Sequence, residues 1–303
     1  MSGTLEATAA DCPVCGGGPA RRVAEQFRGG RFVECTGCGL HFADAAETDL
    51  RAYYEGIWSE GNLGCQPYTE KVEGARDPAG LQRLLKGIPR FRWAVAQLRK
   101  LPLQARVLDV GCGEGALLWA AQGLGLEPHG CDLAPPAVEL ARSLVGDCVH
   151  VGTIADVPYQ PGTFDCLVAL EVIEHLPNPL PFLERAAELL KPGGRLVLTT
   201  PNRHRVFAVL KRLLGRPHSS TDYPPHHYTR WSAGALRGLL GRYFREVRVG
   251  SLPYHFASPA GRTLARPIHL LTAGRMGQSL CAVARRPVVA TPDQHPERRS
   301  VAP

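Results

Sequence analysis

Four cysteines in two matching pairs give the clearest chemical signal in this chain: Cys12-Pro-Val-Cys15-Gly and Cys35-Thr-Gly-Cys38-Gly. Each C-x-x-C places two thiolates on one tight turn, and the following glycine suits a backbone that needs positive φ. Four sulfurs complete the tetrahedral set of a structural Zn²⁺. The segment between the pairs, residues 21–34, predicts a short hairpin. A pair of redox dithiols is the alternative, but no thioredoxin-like strand and helix surround either pair.

A glycine-rich loop is the second chemical signal. The segment 106–115, RVLDVGCGEG, predicts a buried strand that ends near Asp109 and a helix over 116–124. Glycines at this point let the backbone pass close to a ligand at the helix start. Asp132 ends a second predicted strand, near the spacing expected of a carboxylate that accepts hydrogen bonds from ribose hydroxyls. Taken alone, this pattern would also suit NAD or a flavin.

The segments 106–115, 130–135, 152–158, 163–170 and 189–202, in this order, resemble the motifs of class I S-adenosylmethionine (SAM)-dependent methyltransferases. The resemblance implies a Rossmann-like seven-stranded α/β domain that binds SAM. It also implies the cofactor-binding residues Asp109, Gly111, Cys112, Gly113, Gly115, Asp132, Leu133, Thr153, Ile154, Ala155 and Leu170.

The chain departs from the family pattern at Thr153, where many members carry an acidic residue that contacts the adenine amine. A hydroxyl makes a weaker contact there. We therefore expect the backbone of Ile154 and Ala155 to carry adenine recognition.

Acidic and imidazole side chains follow the predicted fourth strand in the segment Glu171-Val-Ile-Glu174-His175, and His227 comes later. Glu171 and Glu174 are one helical turn apart, and two carboxylates with an imidazole suit a divalent metal. The pattern resembles metal-dependent 2′-O-methyltransferases of small-RNA 3′ ends, which implies that Glu171, Glu174, His175 and His227 bind Mg²⁺ or Mn²⁺. Ubiquinone-pathway O-methyltransferases have a similar segment. A general-base role for His175 and a purely structural role stay open.

Several further segments must position these groups. Residues 84–101 are amphipathic and predict a packing helix before the first core strand. Residues 243–250 and 278–286 predict the last two strands, the final one antiparallel, with a helix over 258–273 between them. The basic amphipathic stretch 203–216 predicts a lid over the substrate pocket, and contact with an anionic membrane surface is its alternative.

The segment after the ribbon contains a tyrosine pair, Tyr53 and Tyr54, and resembles the zinc-ribbon group of bacterial methyltransferases. The pair either covers the methionine end of the cofactor or joins the ribbon to the core. We predict a zinc ribbon over 1–44, a helical connector over 45–100, a methyltransferase domain over 101–287 and a disordered tail over 288–303.

Composition narrows the functional classes. The chain is 44% hydrophobic and 21% charged, which is typical of a soluble globular protein. It has no apolar run of about 18 residues and no secretory signal pattern, so we expect neither a membrane span nor secretion. The six cysteines outside the two pairs are scattered, as buried free thiols are in a reducing compartment, so we expect a cytoplasmic protein. The net charge of +7 is compatible with an anionic partner. No aromatic-and-basic stretch suited to stacking bases appears, which argues against nucleic acid.

The zinc-ribbon group is associated with small-molecule, sugar and natural-product methylation. We therefore predict O-methylation of a small-molecule acceptor, a sugar or natural-product hydroxyl, with divalent-metal assistance left open. C-methylation of a sugar and 2′-O-methylation of RNA ribose are the alternatives within the enzyme class. A non-catalytic binding protein is the alternative from another class, and the intact glycine loop with Asp132 argues against it.

Overall fold

The structure is a computed structural model, and it describes residues 12–16, 21–27, 30–44, 49, 51–52, 82, 85, 87–203, 226–252 and 277–288. Three predictions lie outside these residues: the tyrosine pair Tyr53 and Tyr54, the helix over 258–273 and nearly all of the terminal tail. Of the basic stretch 203–216, only Arg203 is described.

The described elements alternate between strands and helices along most of the chain. The strands are β1 (Arg21–Phe27), β2 (Gly30–Cys35), β3 (His41–Asp44), β4 (Arg106–Val110), β5 (Glu127–Asp132), β6 (Val149–Val151), β7 (Phe164–Leu170), β8 (Leu190–Pro201), β9 (Thr229–Arg230), β10 (Arg245–Leu252) and β11 (Ser279–Arg285). The helices are α1 (Pro89–Leu98), α2 (Ala116–Gly123), α3 (Pro135–Val145), a 3-10 helix (Ile173–His175), α4 (Leu180–Leu189) and α5 (Ala233–Leu240).

A seven-stranded sheet in the order β10-β11-β8-β7-β4-β5-β6 forms the centre of the fold. The pairs β4–β5, β5–β6, β4–β7 and β7–β8 are parallel, whereas β11 runs antiparallel to both β8 and β10. The predicted Rossmann-like sheet with an antiparallel final strand is therefore confirmed. Strand order reverses beside β4, and ligands bind at such a switch point in open α/β sheets.

Apolar runs explain why the central strands form. Val107, Leu108 and Val110 on β4 are all buried, as expected of a parallel strand that is covered on both faces. Helix α1 lies within the range 84–101 predicted as a helix, and it begins at Pro89. Its start is set by Ile88, whose backbone is extended, as is usual for a residue before proline.

The strand predicted over 243–250 starts later than expected. The amides of Tyr243 and Phe244 donate to the carbonyl of Leu240 at 3.1 and 2.9 Å and so close the end of α5. β10 therefore begins at Arg245. Within the described part of the chain, no helix is long and apolar enough to cross a membrane.

The cysteine-rich N-terminal part forms a second, antiparallel sheet in the order β1-β2-β3-β9. The hairpin of β1 and β2 confirms the one predicted between the cysteine pairs. The fourth strand, β9, comes from the distant segment after residue 225 and was not anticipated. The two sheets share one hydrophobic core, in which Val14, Leu40 and Phe42 of the ribbon pack in the same cluster as Trp231, Leu236, Leu240 and Phe244. The division into 1–44, 45–100 and 101–287 stays a prediction.

Candidate active site

The glycine loop joins β4 to α2 and turns at three glycines with positive φ. The φ angles are 69° at Gly111, 53° at Gly113 and 83° at Gly115, a region that glycine adopts readily. A Cβ on Gly111 would lie 2.8 Å from Val172 Cγ2, and one on Gly115 would lie 2.9 Å from Ala141 Cβ. A Cβ on Gly113 would meet no heavy atom of the described residues within 4 Å. Within the described part of the chain, the loop thus leaves open space beside the backbone of Gly113.

Two carboxylates stand at the ends of the strands that flank this space. Asp132 accepts hydrogen bonds from the amides of Gly113 at 2.8 Å and Ala134 at 3.0 Å, while Asp109 is buried. Burial, together with the charge of Asp132, raises the pKa of Asp109 to about 8. Burial also raises the pKa of Asp132, against the opposing effect of the amides that it accepts from. A cationic ligand nearby would favour the ionised form of both carboxyls.

The predicted adenine loop follows β6. The hydroxyl and the amide of Thr153 both donate to Asp156 Oδ2 at 2.7 Å, and the amide of Ala155 donates to Thr153 Oγ1 at 3.2 Å. The Thr153 hydroxyl therefore closes this turn. The same bonds lower the pKa of Asp156, so an ionised carboxylate stands three residues after the position where the family pattern has one. The sequence reasoning missed this residue, and the adenine contact of Ile154 and Ala155 stays a prediction.

The segment after β7 has an unusual backbone at Glu171. Its φ is 57°, a left-handed conformation that costs a non-glycine residue roughly 1–2 kcal/mol. The amide of Glu171 donates to the carbonyl of Thr199 at 2.9 Å, which holds the turn at the end of the strand. Val172, the next residue, packs against Gly111. Strain of this kind is often found at functional sites.

The two glutamates differ in their surroundings. Glu174 Oε2 accepts a hydrogen bond from Thr200 Oγ1 at 2.9 Å. The Oε1 atoms of Glu174 and Glu171 are buried and have no hydrogen-bond partner among the described residues. Burial and the charge of Glu171 raise the pKa of Glu174 well above its ordinary value. Its surroundings therefore disfavour the charged form of this carboxyl.

Three histidines meet beside this segment: His175, His226 and His227. Their nitrogen atoms lie within 4.8 Å of one another, and their ring centroids are 4.8 to 5.0 Å apart. His175 Nδ1 donates to the backbone carbonyl of His226, so Nε2 carries no proton when the ring is neutral. Burial, with the charge of His226, lowers the pKa of His175 to about 4.

The metal set predicted from the sequence, Glu171, Glu174, His175 and His227, stays a prediction. The structure adds His226, and neither Glu171 nor Glu174 belongs to the group of ligand atoms. One oxygen of Glu174 accepts a hydrogen bond from Thr200, and the other lies 3.9 Å from His175 Nε2. The adjacent histidines in the sequence could have indicated the third imidazole.

The four predicted zinc ligands, Cys12, Cys15, Cys35 and Cys38, come together as expected, with sulfurs within 4.8 Å of one another. Cys12 Sγ is 3.7 Å from Cys38 Sγ, and Cys15 Sγ is 3.4 Å from Cys35 Sγ. The glycines that follow the two pairs both have a φ of 71°, as the motif predicted. Four convergent sulfurs fit a tetrahedral structural Zn²⁺.

Short hydrogen bonds connect the ribbon to the segment of Glu174. On the ribbon side, the amide of Ala43 donates to the carbonyl of Tyr228 at 2.8 Å. On the other side, the amide of Tyr228 donates to the carbonyl of Glu174 at 2.8 Å. The buried hydroxyl of Thr229 donates to the carbonyl of Ile173 at 3.1 Å. β9 thus holds the 3-10 helix against the ribbon.

Two arginines add to this connection. Arg203, expected on the polar face of a lid, donates to the carbonyl of Gly39 at 2.8 Å and to Glu34 at 3.1 Å. Arg242, at the end of α5, donates to the carbonyl of Val14 between the first two cysteines. Both cysteine turns are therefore tied to the larger sheet by side chains whose partners the sequence alone did not indicate.

The sheet order, the glycine loop at the end of β4 and the carboxylate at the end of β5 define the class I SAM-dependent methyltransferase fold. Residues 81–246, more than half of the chain, match the family model described as a methyltransferase domain, and the chain belongs to this family.

Curated relatives carry a more specific name. The chain is 41% identical over 160 residues to a ubiquinone biosynthesis O-methyltransferase of Xanthomonas campestris, and the match covers 50% of this chain and 66% of that protein. A Xanthomonas oryzae protein of the same name is 38% identical over 160 residues, with the same coverage. The chain therefore spans slightly less than two thirds of the length of these relatives.

Among solved structures, the chain resembles the complex of the Haloferax volcanii Trm112 methyltransferase activator with a methyltransferase. The TM-score is 0.51 at 23% identity, and the match covers 67% of this chain and 93% of that one. At this identity the likeness shows the fold alone.

Proposed function

We propose that this protein transfers the methyl group of SAM to a hydroxyl of a small metabolite. The observation that carries the proposal is the open space beside Gly113, which lies next to Asp132 at the switch point of the sheet. Family membership supports methyl transfer, and the name of the 41% identical relatives supports a hydroxyl acceptor. A sugar, phenol or other natural-product hydroxyl is the acceptor class that we propose.

In this proposal, different residues of the site contact different parts of the cofactor. Asp132 keeps lone pairs for the ribose hydroxyls after it accepts from two amides. The buried carboxyls of Asp109 and Asp132 would supply negative charge toward the positively charged SAM. Ile154 and Ala155 would contact the adenine. Cys112, Leu133 and Leu170 complete the walls of the cofactor site in this proposal.

The acceptor enters on the side of Glu171 and His175. As the acceptor oxygen forms a bond to the methyl carbon, the carbon–sulfur bond breaks and its electron pair stays on sulfur. The hydroxyl proton would pass to Nε2 of the neutral His175 ring; if His175 instead held a cation that acidified the hydroxyl, the proton would leave to solvent. The enzyme contributes mainly by aligning the two reactants and excluding water.

We also propose that the four cysteines bind a structural Zn²⁺. The convergent sulfurs support this, and closed sites of four thiolates are structural in other proteins. The ribbon then serves as a fixed support for β9 and the 3-10 helix.

The experiment is methyl transfer from labelled SAM to a panel of phenols, quinols and sugars, with products identified by mass spectrometry and NMR. A product with a new methoxy group would support the proposal. A new carbon–methyl bond would favour sugar C-methylation instead, and SAM binding without any product across the panel would favour a binding protein.

A further inference from the structure

We propose that His175, His226 and His227 form a site for a divalent transition metal that prefers imidazole nitrogen, such as Zn²⁺, Co²⁺ or Ni²⁺. Their nitrogens lie within 4.8 Å of one another, close enough to share one ion. Three protein nitrogens leave a fourth position of a tetrahedral ion open, which is the arrangement of catalytic zinc sites. The chemistry of this set differs from the Mg²⁺ or Mn²⁺ that the sequence pattern implied.

The histidines are arranged as ligands that are already oriented. His175 donates its Nδ1 proton to the carbonyl of His226, 51 residues away in the sequence, and this bond presents Nε2 as the ligand atom. Backbone carbonyls commonly orient metal-binding histidines in this way. The rings of His226 and His227 stack at 26°, with centroids 4.8 Å apart. The backbone amide of the next residue, Tyr228, donates to the backbone carbonyl of Glu174 at 2.8 Å. This bond limits how far the two rings can move from His175.

Nitrogen ligands decide which metal the site selects. Mg²⁺ needs oxygen ligands in a near-octahedral arrangement and is usually held by carboxylates, whereas imidazole suits zinc, nickel and related ions. Neither glutamate carboxylate belongs to the group of ligand atoms. Glu174 Oε2 is engaged by Thr200 at 2.9 Å, and Glu174 Oε1 is 3.9 Å from His175 Nε2. We therefore expect no binding of Mg²⁺ at concentrations at which Co²⁺ binds.

The location of the cluster suggests its use. Val172, between Glu171 and the 3-10 helix, packs against Gly111 of the cofactor loop, so the histidine segment and the cofactor loop touch. A metal with an open position there would bind the acceptor hydroxyl and lower its pKa. This role rests on the proposed methyl transfer, whereas binding of the metal itself does not.

The test uses the full chain with the ribbon loaded with one zinc. Co²⁺ is titrated into it, and bound metal per chain is measured by equilibrium dialysis and elemental mass spectrometry. We expect one additional equivalent of Co²⁺ without the sulfur-to-cobalt charge-transfer band that a thiolate site would give. His226→Ala and His227→Ala should each weaken this binding by about 10-fold or more. His150→Ala, a histidine outside the cluster, is the matched control and should bind as the parent protein does.

Two further arms address the metal and its ligands. Excess Mg²⁺ should leave Co²⁺ bound, and Glu171→Gln should keep the second equivalent. Displacement by Mg²⁺, or loss of Co²⁺ in Glu171→Gln, would show an oxygen-based site and overturn the proposal. Absence of a second equivalent in the parent protein, or its retention in both histidine variants, would overturn it too.

Folding and cofactor binding are followed on the same samples. Retained ribbon zinc and unchanged SAM affinity show that a variant is folded, and His227→Asn provides a more conservative change at the same position. If SAM binds normally and no second metal does, this inference fails alone. If SAM does not bind the parent protein, the proposed function fails and the metal measurement still stands.

Discussion

The backbone amide of Tyr228 donates to the carbonyl of Glu174 across 2.8 Å, and the carbonyl of Tyr228 accepts from the amide of Ala43 at the same distance. One peptide segment thus joins the ribbon to the turn that carries the candidate acceptor-side residues. The ribbon and the larger sheet also share a hydrophobic core. The cysteine-rich part therefore takes part in shaping the active site, and its stability and the enzyme's activity should be linked.

Thr229→Val tests this link. The hydroxyl of Thr229 donates to the carbonyl of Ile173 and accepts from the indole N–H of Trp231 at 3.0 Å. All three residues are buried. Losing both bonds should lower the free energy of unfolding by about 1–3 kcal/mol. The methyl-transfer rate should fall while SAM affinity and zinc content stay unchanged, because the two lost bonds involve the 3-10 helix and Trp231 and neither the cofactor loop nor the four sulfurs.

Ser232→Ala is the control for that variant. Its hydroxyl oxygen caps α5 by accepting from the amide of Ala235 at 3.2 Å, so the change should cost about 1 kcal/mol of stability without touching the 3-10 helix. Equal methyl-transfer rates for the two variants, each measured per folded molecule, would show that β9 does not position the acceptor side.

Alanine substitutions in the glycine loop should separate binding from folding. Gly113→Ala meets open space and incurs only the cost of a positive φ, roughly 1–2 kcal/mol, but its methyl group occupies the proposed cofactor space. Gly115→Ala incurs a similar cost and also meets Ala141 Cβ at 2.9 Å. We expect Gly113→Ala to fold and lose SAM binding, and Gly115→Ala to be the less stable of the two. Chemical denaturation and calorimetry check both; tight SAM binding by Gly113→Ala would contradict the placement of the cofactor.

The pH dependence of stability should reveal Asp109. Its pKa rises from 3.8 to about 8 on folding, so the folded state holds a proton that the unfolded chain has released above about pH 4. The stability associated with this proton is present at low pH and is lost as the pH rises toward 8. Without cofactor, Asp109→Asn should become more stable than the parent as the pH increases, by up to about 1.4 kcal/mol per pH unit.

Denaturation curves from pH 5 to 8 measure this difference. Asp156→Asn is the control, because the pKa of Asp156 is lowered in the folded state and its removal should give no gain as the pH rises. A parent protein whose stability does not decline relative to Asp109→Asn over this range would argue against a buried, protonated Asp109.

Zinc removal should destabilise the whole described fold as one unit. Cys38→Ser, or a chelator strong enough to strip the site, removes the ion that we propose for the four sulfurs. Since the ribbon shares its core with α5, we expect a single unfolding transition whose Tm is lower by roughly 10 °C. Calorimetric scans check this, and two separate transitions would show that the ribbon unfolds independently.

Local patterns were sufficient to predict much of this molecule. Short segments encode the cysteine pairs with their glycines, the strand and loop over 106–115, and the antiparallel last strand. The residue types in each of these segments favour only a few backbone conformations. The family motifs then indicated a Rossmann-like domain with seven strands. These features depend on neighbours in the sequence, so a single sequence contains the information.

Contacts between distant segments were the part that sequence reasoning missed. β9 is only two residues long, so no periodic pattern indicates that it pairs with β3. Thr200 and Glu174 lie 26 residues apart, and only the packed sheet brings the hydroxyl to the carboxylate that was predicted to bind metal. The pairing of His226 with His175 likewise depends on where β9 places the preceding turn.

The most direct test of the central claim is calorimetric titration of the folded, zinc-loaded protein with SAM and with its demethylated product. The account predicts one binding site per chain, and an affinity that falls by about 10- to 100-fold in Asp132→Asn, which loses a charged acceptor for hydrogen bonds. No heat of binding with either ligand, or equal affinities for the parent and Asp132→Asn, would contradict it.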